Sequence, residues 1–589
     1  MKRILPAALL AALVLPLAGQ GKPAAKTAPK ATPKVAAART VWPDEGPRTW
    51  APRPTKPAID ANDLRTRLYQ FADDSMMGRE AGTLGNWMGT EYIAREFQRL
   101  GLKPAGDNGT WFQDVPFGQT GYDITSSELT LGGSTLTPIT DWVPMSPSAI
   151  GGITNRFAGS VAETVFGGRW GDTTALDSAK VTGKMVVFLP AATTAIPAGG
   201  GGRGGATAVR DQRAQRAGAA GILVAGLDPM TPAQRNNAFA QRIVLKPTSS
   251  ADVVGIPAAT ISMAAAAALF GAPLAQVAVG TTGKGVRGKW ASGWTMAKYP
   301  GRNVIAMLPG SDPVLKDEYV LIGAHNDHNG MVTGVPPEHD SLRAFNRVLR
   351  PQGANDRAGP PTPEQWAQVN ALIAQARAIR PARPDTVHNG ADDDGSGTMV
   401  LLEIAERFAS EKAPARSMIF NAHVGEEKGL VGSKWFVDHP TIPLDKIVAA
   451  HNMDMLGKGR VTDVRYGGPA SVQMLGSRRL SDDFGSIIDS LNAVRDETMA
   501  IDYSWDRTNL LNRFCRSDQV SYFNKQIPVT YFSLGYAQDY HQATDEPQYI
   551  EYEHAARLGR FIHDVMWAIA VRKDRPAIAG PDPGFPVCR

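Results

Sequence analysis

Alternating strand-like and helix-like segments after Asn303 constrain the fold of this chain more than any other feature. Apolar segments run into polar residues in EYVLIGAHNDH, SMIFNAHVGEE, KIVAAHNMDML and VTYFSLG, with amphipathic segments such as SGTMVLLEIAERFASEK between them. This alternation predicts an α/β fold, a mostly parallel sheet with helices on both faces. Functional sites in such sheets lie at the carboxyl ends of the strands. The last helix is expected over Tyr552 to Val571.

Two adjacent glutamates, Glu426 and Glu427, follow the strand-like run Ser417 to Ala422 at a glycine-rich turn into a helix over Lys428 to Asp438. Adjacent carboxylates repel each other and lose solvation when they are buried. The pair therefore suggests that one glutamate binds a cation and the other transfers protons. A solvated acidic turn is the alternative for the pair taken alone.

Histidine is confined to this part of the chain, since all ten lie between His325 and His563. Two imidazoles with several carboxylates at strand ends suit Zn²⁺ or a similar divalent ion, and the oxygens suffice for two ions that share one carboxylate. In a strand, His325 and Asp327 would point to the same face, so Asp327 is expected to accept a hydrogen bond from the imidazole. The strand ends carry His325, Asp327, Asp393, Glu426, Glu427, Asp454 and His541.

Five motifs in order, HxD, DDxxSG, GEExGxxGS, NxDM and YHxxxDE, resemble those of the M28 family of co-catalytic zinc peptidases. The resemblance extends over about residues 60–571 and includes MGREAGT near the start. It implies a zinc-exopeptidase fold, a mostly parallel mixed sheet sandwiched by helices, and a cofactor of two Zn²⁺ ions, with other divalent ions possible.

Residue by residue, the resemblance implies that Asp393 bridges both ions. His325 and Asp454 would complete one metal site, and Glu427 and His541 the other. Metal-bound water would then be the nucleophile in an aminopeptidase reaction.

Three further positions follow from the same resemblance. Glu426 would be the general base, because a metal ligand and a base must be different residues. Tyr540 is a candidate hydrogen-bond donor to the oxyanion, with a packing role as the alternative. Asp392 and Asp394 flank Asp393, and the DDxxSG alignment favours Asp393.

The chain departs from the family pattern at residues 329–389, where about 60 residues replace a shorter loop between His325 and Asp393. This insert contains a predicted helix after Pro363, and we expect it to rim or cover the pocket and restrict substrate size. Gln519 stands where many relatives carry histidine. The remaining histidines are interpreted as surface or core residues, although His328 and His388 lie close in sequence to the predicted ligands: His328, His339, His388, His423, His439, His451, His554 and His563.

The chain divides into segments of different composition. Residues 1–19 read as a secretory signal peptide and residues 20–55, rich in Ala, Pro and Lys, as a disordered linker. Residues 56–134 and 288–572 form the predicted peptidase domain, and 573–589 a C-terminal tail. Residues 135–287 resemble an inserted α+β protease-associated (PA) domain, with strands at 184–189, 221–225 and 256–261, a helix at 208–219 and a mobile Gly-rich loop at 198–206.

Charge and cysteine content limit the partners and the compartment. Seven basic residues and no acidic residue lie in the first 40, so the formal charge of +5 becomes −2 for the remainder, which gives no argument for nucleic-acid binding. No membrane anchor is expected in the mature form, and the oligomeric state is open.

In the periplasm or outside the cell, the two cysteines, Cys515 and Cys588, are predicted to pair, with two free thiols as the alternative.

The sequence thus predicts a secreted or periplasmic dizinc aminopeptidase that acts on peptides from the amino end. A carboxypeptidase or dipeptidase of the same fold and a non-catalytic, receptor-like binding protein remain as alternatives. A glutaminyl cyclase is disfavoured by the intact two-metal set, and a phosphate-ester hydrolase lacks a phosphate clamp.

Overall fold

A computed structural model describes most of the chain after residue 39. The predicted signal peptide, most of the predicted linker and the Gly-rich loop at 198–206 lie outside the described residues. The described ranges are 40–146, 154–191, 211–245, 254–355, 359–458, 467–507, 511–580, 584 and 588.

The strands in these ranges are β1 Lys103–Pro104, β2 Phe112–Val115, β3 Phe117–Tyr122, β4 Glu128–Leu131, β5 Ser134–Leu136, β6 Trp142–Pro144, β7 Thr154–Val161, β8 Thr164–Arg169, β9 Met185–Leu189, β10 Gly221–Val224, β11 Arg242–Leu245, β12 Val254–Gly255, β13 Ala258–Ile261, β14 Thr282–Gly283, β15 Val286–Met296, β16 Gly301–Leu308, β17 Tyr319–His325, β18 Ser417–His423, β19 Ile447–Met453, β20 Ser471–Leu475, β21 Ala500–Asp502 and β22 Val529–Ser533.

The helices are α1 Ala61–Phe71, α2 Leu84–Arg99, α3 Ser178–Val181, α4 Arg213–Arg216, α5 Pro232–Asn237, α6 Met263–Phe270, α7 His339–Leu349, α8 Pro363–Arg377, α9 Gly397–Ser410, α10 Val431–Asp438, α11 Asp482–Val494, α12 Ser504–Arg507, α13 Gln519–Asn524 and α14 Tyr552–Val571. In the described ranges, no helix has both the length and the apolar character needed to cross a membrane.

A nine-stranded mixed sheet carries the helices after β16. Its order is β1-β16-β18-β17-β19-β22-β20-β21, and β2 also pairs with β16. The neighbours β18, β17, β19 and β22 run parallel, whereas β16 and β20 pair antiparallel with β18 and β22. The carboxyl ends of four adjacent strands therefore meet at one edge, and the predicted α/β class is confirmed.

Side chains of β17 show why helices cover both faces of this sheet. Val320 and Ile322 belong to a buried apolar cluster that includes Leu401 of α9, while Leu321 belongs to another that includes Phe436 of α10. Successive side chains of a strand point to opposite faces, so an uninterrupted apolar strand needs a cover on each side. Almost every apolar residue of α9 is buried, which makes it a central helix of the fold.

The residues between β2 and β16 form two sheets of their own. One is six-stranded, with the order β14-β8-β9-β10-β13-β6, and the other contains β11, β3, β15, β4, β5, β7 and β12. β9, β10 and β13 confirm the predicted strands there, whereas the helix expected over 208–219 is described only as Arg213–Arg216. These sheets extend from Phe117 to Met296, beyond the predicted bounds of 135–287, because β3 pairs along β15 instead of joining the main sheet.

The linker predicted over 20–55 ends earlier than expected. Trp42 is buried, with 2% of its surface exposed, and its Nε1 donates a hydrogen bond to Asp340 of α7 (2.9 Å). Glu45 pairs with Arg380, which follows α8. Composition alone missed this segment because its Trp and acidic residues find partners in the distant insert 329–389.

A disulfide bond joins Cys515 and Cys588, whose Cα atoms lie 5.2 Å apart. It fixes the C-terminal tail to the segment before α13. The predicted pairing is therefore confirmed, and the alternative of two free thiols is wrong.

Candidate metal centre

The polar residues predicted from the sequence meet at the carboxyl edge of the parallel strands. His325 is the last residue of β17, Asp454 follows β19 directly, and the glutamate pair follows β18. Asp393 lies in the turn that leads into α9, and His541 in the loop after β22. Five separate stretches of sequence thus contribute to one site at the edge where neighbouring strands end.

The first group of donor atoms surrounds the imidazole of His325. Its Nε2 lies 3.1 Å from Asp393 Oδ1, 3.6 Å from Asp454 Oδ1 and 4.0 Å from Glu426 Oε2. The His325 side chain is fully buried. This group contains both residues predicted to share a metal with Asp393.

The second group surrounds His541. Its Nε2 lies 3.0 Å from Asp393 Oδ2 and 3.0 Å from Glu427 Oε1. The two oxygens of Asp393 therefore face two different imidazoles, which is the arrangement expected of a bridging carboxylate. His541 has a positive φ of 57°, an uncommon conformation for a residue other than glycine and one that concentrates at functional sites.

The hydrogen bonds of Asp392 and Asp394 distinguish these two carboxylates from that of Asp393. Asp394 accepts from the backbone N–H groups of His325 (3.0 Å), Met455 (3.1 Å) and Gly397 (2.9 Å). Its carboxylate still lies close enough to His325 and Asp454 to form a possible ligand group with them.

Asp392 accepts instead from the N–H of Gly457 (2.7 Å) and from the Ser396 hydroxyl (3.2 Å). The flanking carboxylates hold the loops of the site in place, and only the carboxylate of Asp393 lies between the two imidazoles.

The donor atoms at the centre fit divalent metal ions. His325 Nε2, His541 Nε2 and Asp454 Oδ1 are buried atoms without a hydrogen-bond partner within the described ranges. Buried polar atoms are almost always hydrogen-bonded, and here imidazole nitrogens and carboxylate oxygens lie close together without well-aligned hydrogen bonds, an arrangement that a bound cation would satisfy. These are the atoms that Zn²⁺ binds in proteins.

The charges of the site stabilise one another. Burial disfavours the charged form of His541, yet the carboxylates of Glu427 and Asp393 raise the pKa of this imidazole to about 10. Burial likewise opposes charge on His325, but Asp327, Asp393 and Asp454 raise its pKa well above the usual value. The carboxylates attract positive charge strongly, and a metal ion would compete with these protons.

Asp327 lies next to His325, although strand alternation is not what places it there. β17 ends at His325, so the alternation of side chains along a strand does not extend to Asp327. His325 Nδ1 is 3.2 Å from the backbone oxygen of Asp327 and 3.6 Å from its carboxylate. The carboxylate accepts from the backbone N–H of Glu426 (3.1 Å) and thereby connects the imidazole to that glutamate.

Tyr540 lies beside the site as a packing partner of His541. The two rings stack with centroids 3.8 Å apart. The ring of Tyr536 also packs against Tyr540, with centroids 4.8 Å apart. Burial raises the pKa of the Tyr540 hydroxyl well above its usual value, so the group stays protonated and able to donate. Its proposed contact with an oxyanion stays a prediction.

His328 is the functional candidate that the sequence interpretation missed. Its Nδ1 lies 3.0 Å from Glu427 Oε1, and its ring centroid lies 5.7 Å from that of His541. The signal in the sequence is its position three residues after His325, where a parallel bridge to Glu80 holds the backbone.

The insert 329–389 contacts the loop that carries His541. Arg343 of α7 pairs with Asp539 (2.6 Å), and the N–H of Ala354 donates to the backbone oxygen of Tyr536 (3.0 Å). The predicted helix after Pro363 is α8. The insert therefore supports one wall of the site, and its effect on substrate size stays a prediction.

Another histidine of the insert forms a third group that could hold a cation, together with Asp385 and Glu546. His339 forms hydrogen bonds with Asp385 (2.7 Å) and with the Tyr549 hydroxyl (2.8 Å). Arg383 forms an ion pair with Glu546 (2.7 Å). An arginine already provides the positive charge here, so this group is a structural ion-pair cluster.

Gln519, which departs from the family pattern, stabilises the loop beside Asp454. It accepts a hydrogen bond from Asn452 (3.0 Å) and donates one to the backbone oxygen of Phe514 (2.5 Å). The residue is buried. Its amide thus connects β19 to the segment that contains Cys515.

Parts of this chain are similar to known peptidases. The model of "Peptidase family M28" matches residues 374–566. A probable leucine aminopeptidase from Trichophyton verrucosum is 31% identical over 107 residues, which cover 17% of this chain and 30% of that protein. A probable zinc metalloprotease from Pyrenophora tritici-repentis is 38% identical over 74 residues, or 13% of this chain and 17% of that protein.

The chain thus spans less than a third of the length of these two relatives. Among solved structures, an aminopeptidase from Aneurinibacillus sp. strain AM-1 is similar, with a TM-score of 0.45 and 16% identity over 89% of this chain and 97% of that one.

Proposed function

We propose that this chain, whose residues 374–566 match the model of peptidase family M28, is a dizinc aminopeptidase. The observation that supports it most is the position of Asp393, with one carboxylate oxygen 3.1 Å from His325 and the other 3.0 Å from His541. A single carboxylate between two imidazoles is suited to bridge two ions.

His325 and Asp454 would hold one ion and Glu427 and His541 the other, with Asp393 shared. Two zinc ions supply a nucleophile at neutral pH and stabilise negative charge on a carbonyl oxygen. The protein contributes fixed ligand positions, since these side chains come from the ends of rigid strands and from loops held by backbone hydrogen bonds.

Glu426 would act as the general base. It is 1% exposed, its Oε2 lies 4.0 Å from His325 Nε2, and its backbone is held by Asp327. A carboxylate beside the metal ligands can take a proton during attack and deliver it to the leaving amine. Tyr540, whose hydroxyl stays protonated, is the proposed donor to the developing oxyanion.

A carboxypeptidase or dipeptidase is the second candidate, because two arginines lie near the site. The guanidinium groups of Arg513 and Arg516 lie 4.3 and 4.6 Å from the ring centre of Tyr536, which packs against Tyr540. Arginine binds carboxylates in a bidentate manner, so these residues would suit the carboxyl end of a short peptide. The receptor-like alternative is not favoured, because all the residues proposed as ligands and base are present and lie close together at one edge of the sheet.

Export to the periplasm or the cell exterior is part of the proposal and rests on the N-terminal sequence and on the disulfide bond. Peptides are the proposed substrates.

Hydrolysis of amino-acid anilides and dipeptides, each with a free and a blocked amino group, tests the reaction. We expect cleavage only of substrates with a free amine, lost when a chelator removes the metal and recovered with Zn²⁺. Cleavage of blocked dipeptides would favour the carboxypeptidase instead. No hydrolysis by the zinc-loaded protein would contradict both.

A further inference from the structure

His328 occupies a position that no step of the proposed reaction uses. The residue is fully buried, and its Nδ1 lies 3.0 Å from Glu427 Oε1. His328, Asp393 and Glu427 each offer one donor atom, and these atoms all lie within 4.8 Å of one another. This spacing allows all three to bind one ion.

The His328 ring is held rigidly in this position. Its backbone N–H donates to the Arg79 oxygen (3.2 Å), and the Arg79 guanidinium donates to the Gly390 oxygen (2.8 Å). Gly390 provides the space for the ring, since a Cβ at that position would come within 2.4 Å of His328 Cγ. A side chain fixed before the ion arrives makes a better ligand than a mobile one.

The ring also has few other partners. Its Nε2 is buried and has no hydrogen-bond partner among the residues that the structure describes. The neighbouring ring of His388 packs at 6.4 Å but belongs to none of the candidate ligand groups. A buried imidazole next to two carboxylates, with one nitrogen directed at them, is what a metal ligand requires.

We propose that His328 is a further ligand of the metal ion held by Glu427 and His541, an inference that rests on the proposed dizinc function. That ion would then have four protein ligands, His328, His541, Glu427 and Asp393. The other would have three, His325, Asp454 and Asp393. A site with fewer protein ligands leaves more room for water or substrate.

The two metal sites would therefore differ in their number of protein ligands. The four-ligand site binds its ion more tightly and anchors Asp393, and the three-ligand site keeps an open position. Glu426 lies beside that open site, 4.0 Å from His325 Nε2. The base and the open position are thus on the same side of the bridge.

A crystal structure of the zinc-loaded wild-type protein, with anomalous data at the zinc edge, tests the ligand directly. We expect one zinc peak at about 2.0–2.1 Å from His328 Nδ1, the usual zinc–nitrogen distance. A zinc pair in which both ions lie more than about 3 Å from His328, beyond coordination distance, would overturn the inference and leave the dizinc function intact. Absence of bound zinc would overturn both.

Titration of zinc against a competing chelator gives a second readout that does not depend on activity. His328→Gln should weaken one of the two zinc sites by about 10- to 100-fold or more, whereas the matched control His388→Gln should leave both unchanged. Equal affinities in His328→Gln and in the wild type would overturn the inference. If His328→Gln does not fold, the wild-type zinc positions decide alone.

Discussion

Replacing Arg343 by Met tests whether the insert supports the loop of His541. The guanidinium is 2% exposed and lies 2.6 Å from Asp539, 2.8 Å from Asp44 and 3.5 Å from the ring centre of Tyr549. It therefore joins the N-terminal segment, α7 and the loop after β22 by contacts that an uncharged side chain cannot replace.

The expected loss in the free energy of unfolding depends on the partners that Asp539 retains in the variant. Removal of one partner of a buried ion pair costs about 3–5 kcal/mol. Asp539 retains the Thr544 hydroxyl at 2.7 Å and Lys458 at 3.5 Å, so we expect a value near the lower end of that range. Arg347→Met is the matched control. It lies on the same helix and pairs with Asp44 at 3.1 Å, but its side chain is 31% exposed, so it should cost less than about 1 kcal/mol.

Denaturation in guanidinium chloride gives the free energy of unfolding of each variant, provided that its slope against denaturant concentration is unchanged. Arg343→Met should also weaken zinc binding, because Asp539 lies two residues before His541. Equal stabilities of the two variants would refute the argument that the buried pair supports this loop.

Three further outcomes follow from the structure. Since the folded pKa of His541, about 10, exceeds the unfolded value of about 6.5, its contribution is present below pH 6.5 and lost as the pH rises through 10. Thermal unfolding of the metal-free protein should show this loss, and His541→Ala should show a flatter profile; identical profiles would contradict it. Reduction of the Cys515–Cys588 disulfide, which closes a loop of 73 residues, should lower the free energy of unfolding by about 2–5 kcal/mol, and an unchanged value would speak against a stabilising role. Deletion of residues 329–389 should change substrate choice more than zinc content, and an unaltered substrate profile would refute a role in specificity.

Sequence patterns predicted the sheet and the edge at which the candidate site residues meet, because both depend on local signals. The apolar run before His325 and the polar residues directly after it define a strand end whatever the rest of the chain does. Asp454 follows β19 in the same way. Neighbouring parallel strands then bring such residues together, so the general position of the site was predictable.

The features that the sequence did not predict are side-chain orientations and contacts between residues far apart in the sequence. The orientation of Asp327 could not be read from strand periodicity, because the strand ends two residues earlier. His328 lies just beyond that strand, where the space for its ring depends on Gly390, 62 residues away in the sequence. Trp42 was assigned to a disordered linker because its partner, Asp340, belongs to a distant insert.

Glu426→Gln tests the central claim most directly, because the glutamine keeps the shape of the side chain and removes its capacity to accept a proton. With zinc content and kcat for a free-amine anilide measured on the same samples, we expect unchanged zinc and a kcat about 10²–10⁴-fold lower. The Glu427→Gln protein should instead contain less zinc than the wild type. A Glu426→Gln protein with full activity, or with zinc lost in the manner expected of Glu427→Gln, would contradict the assignment of base and ligand.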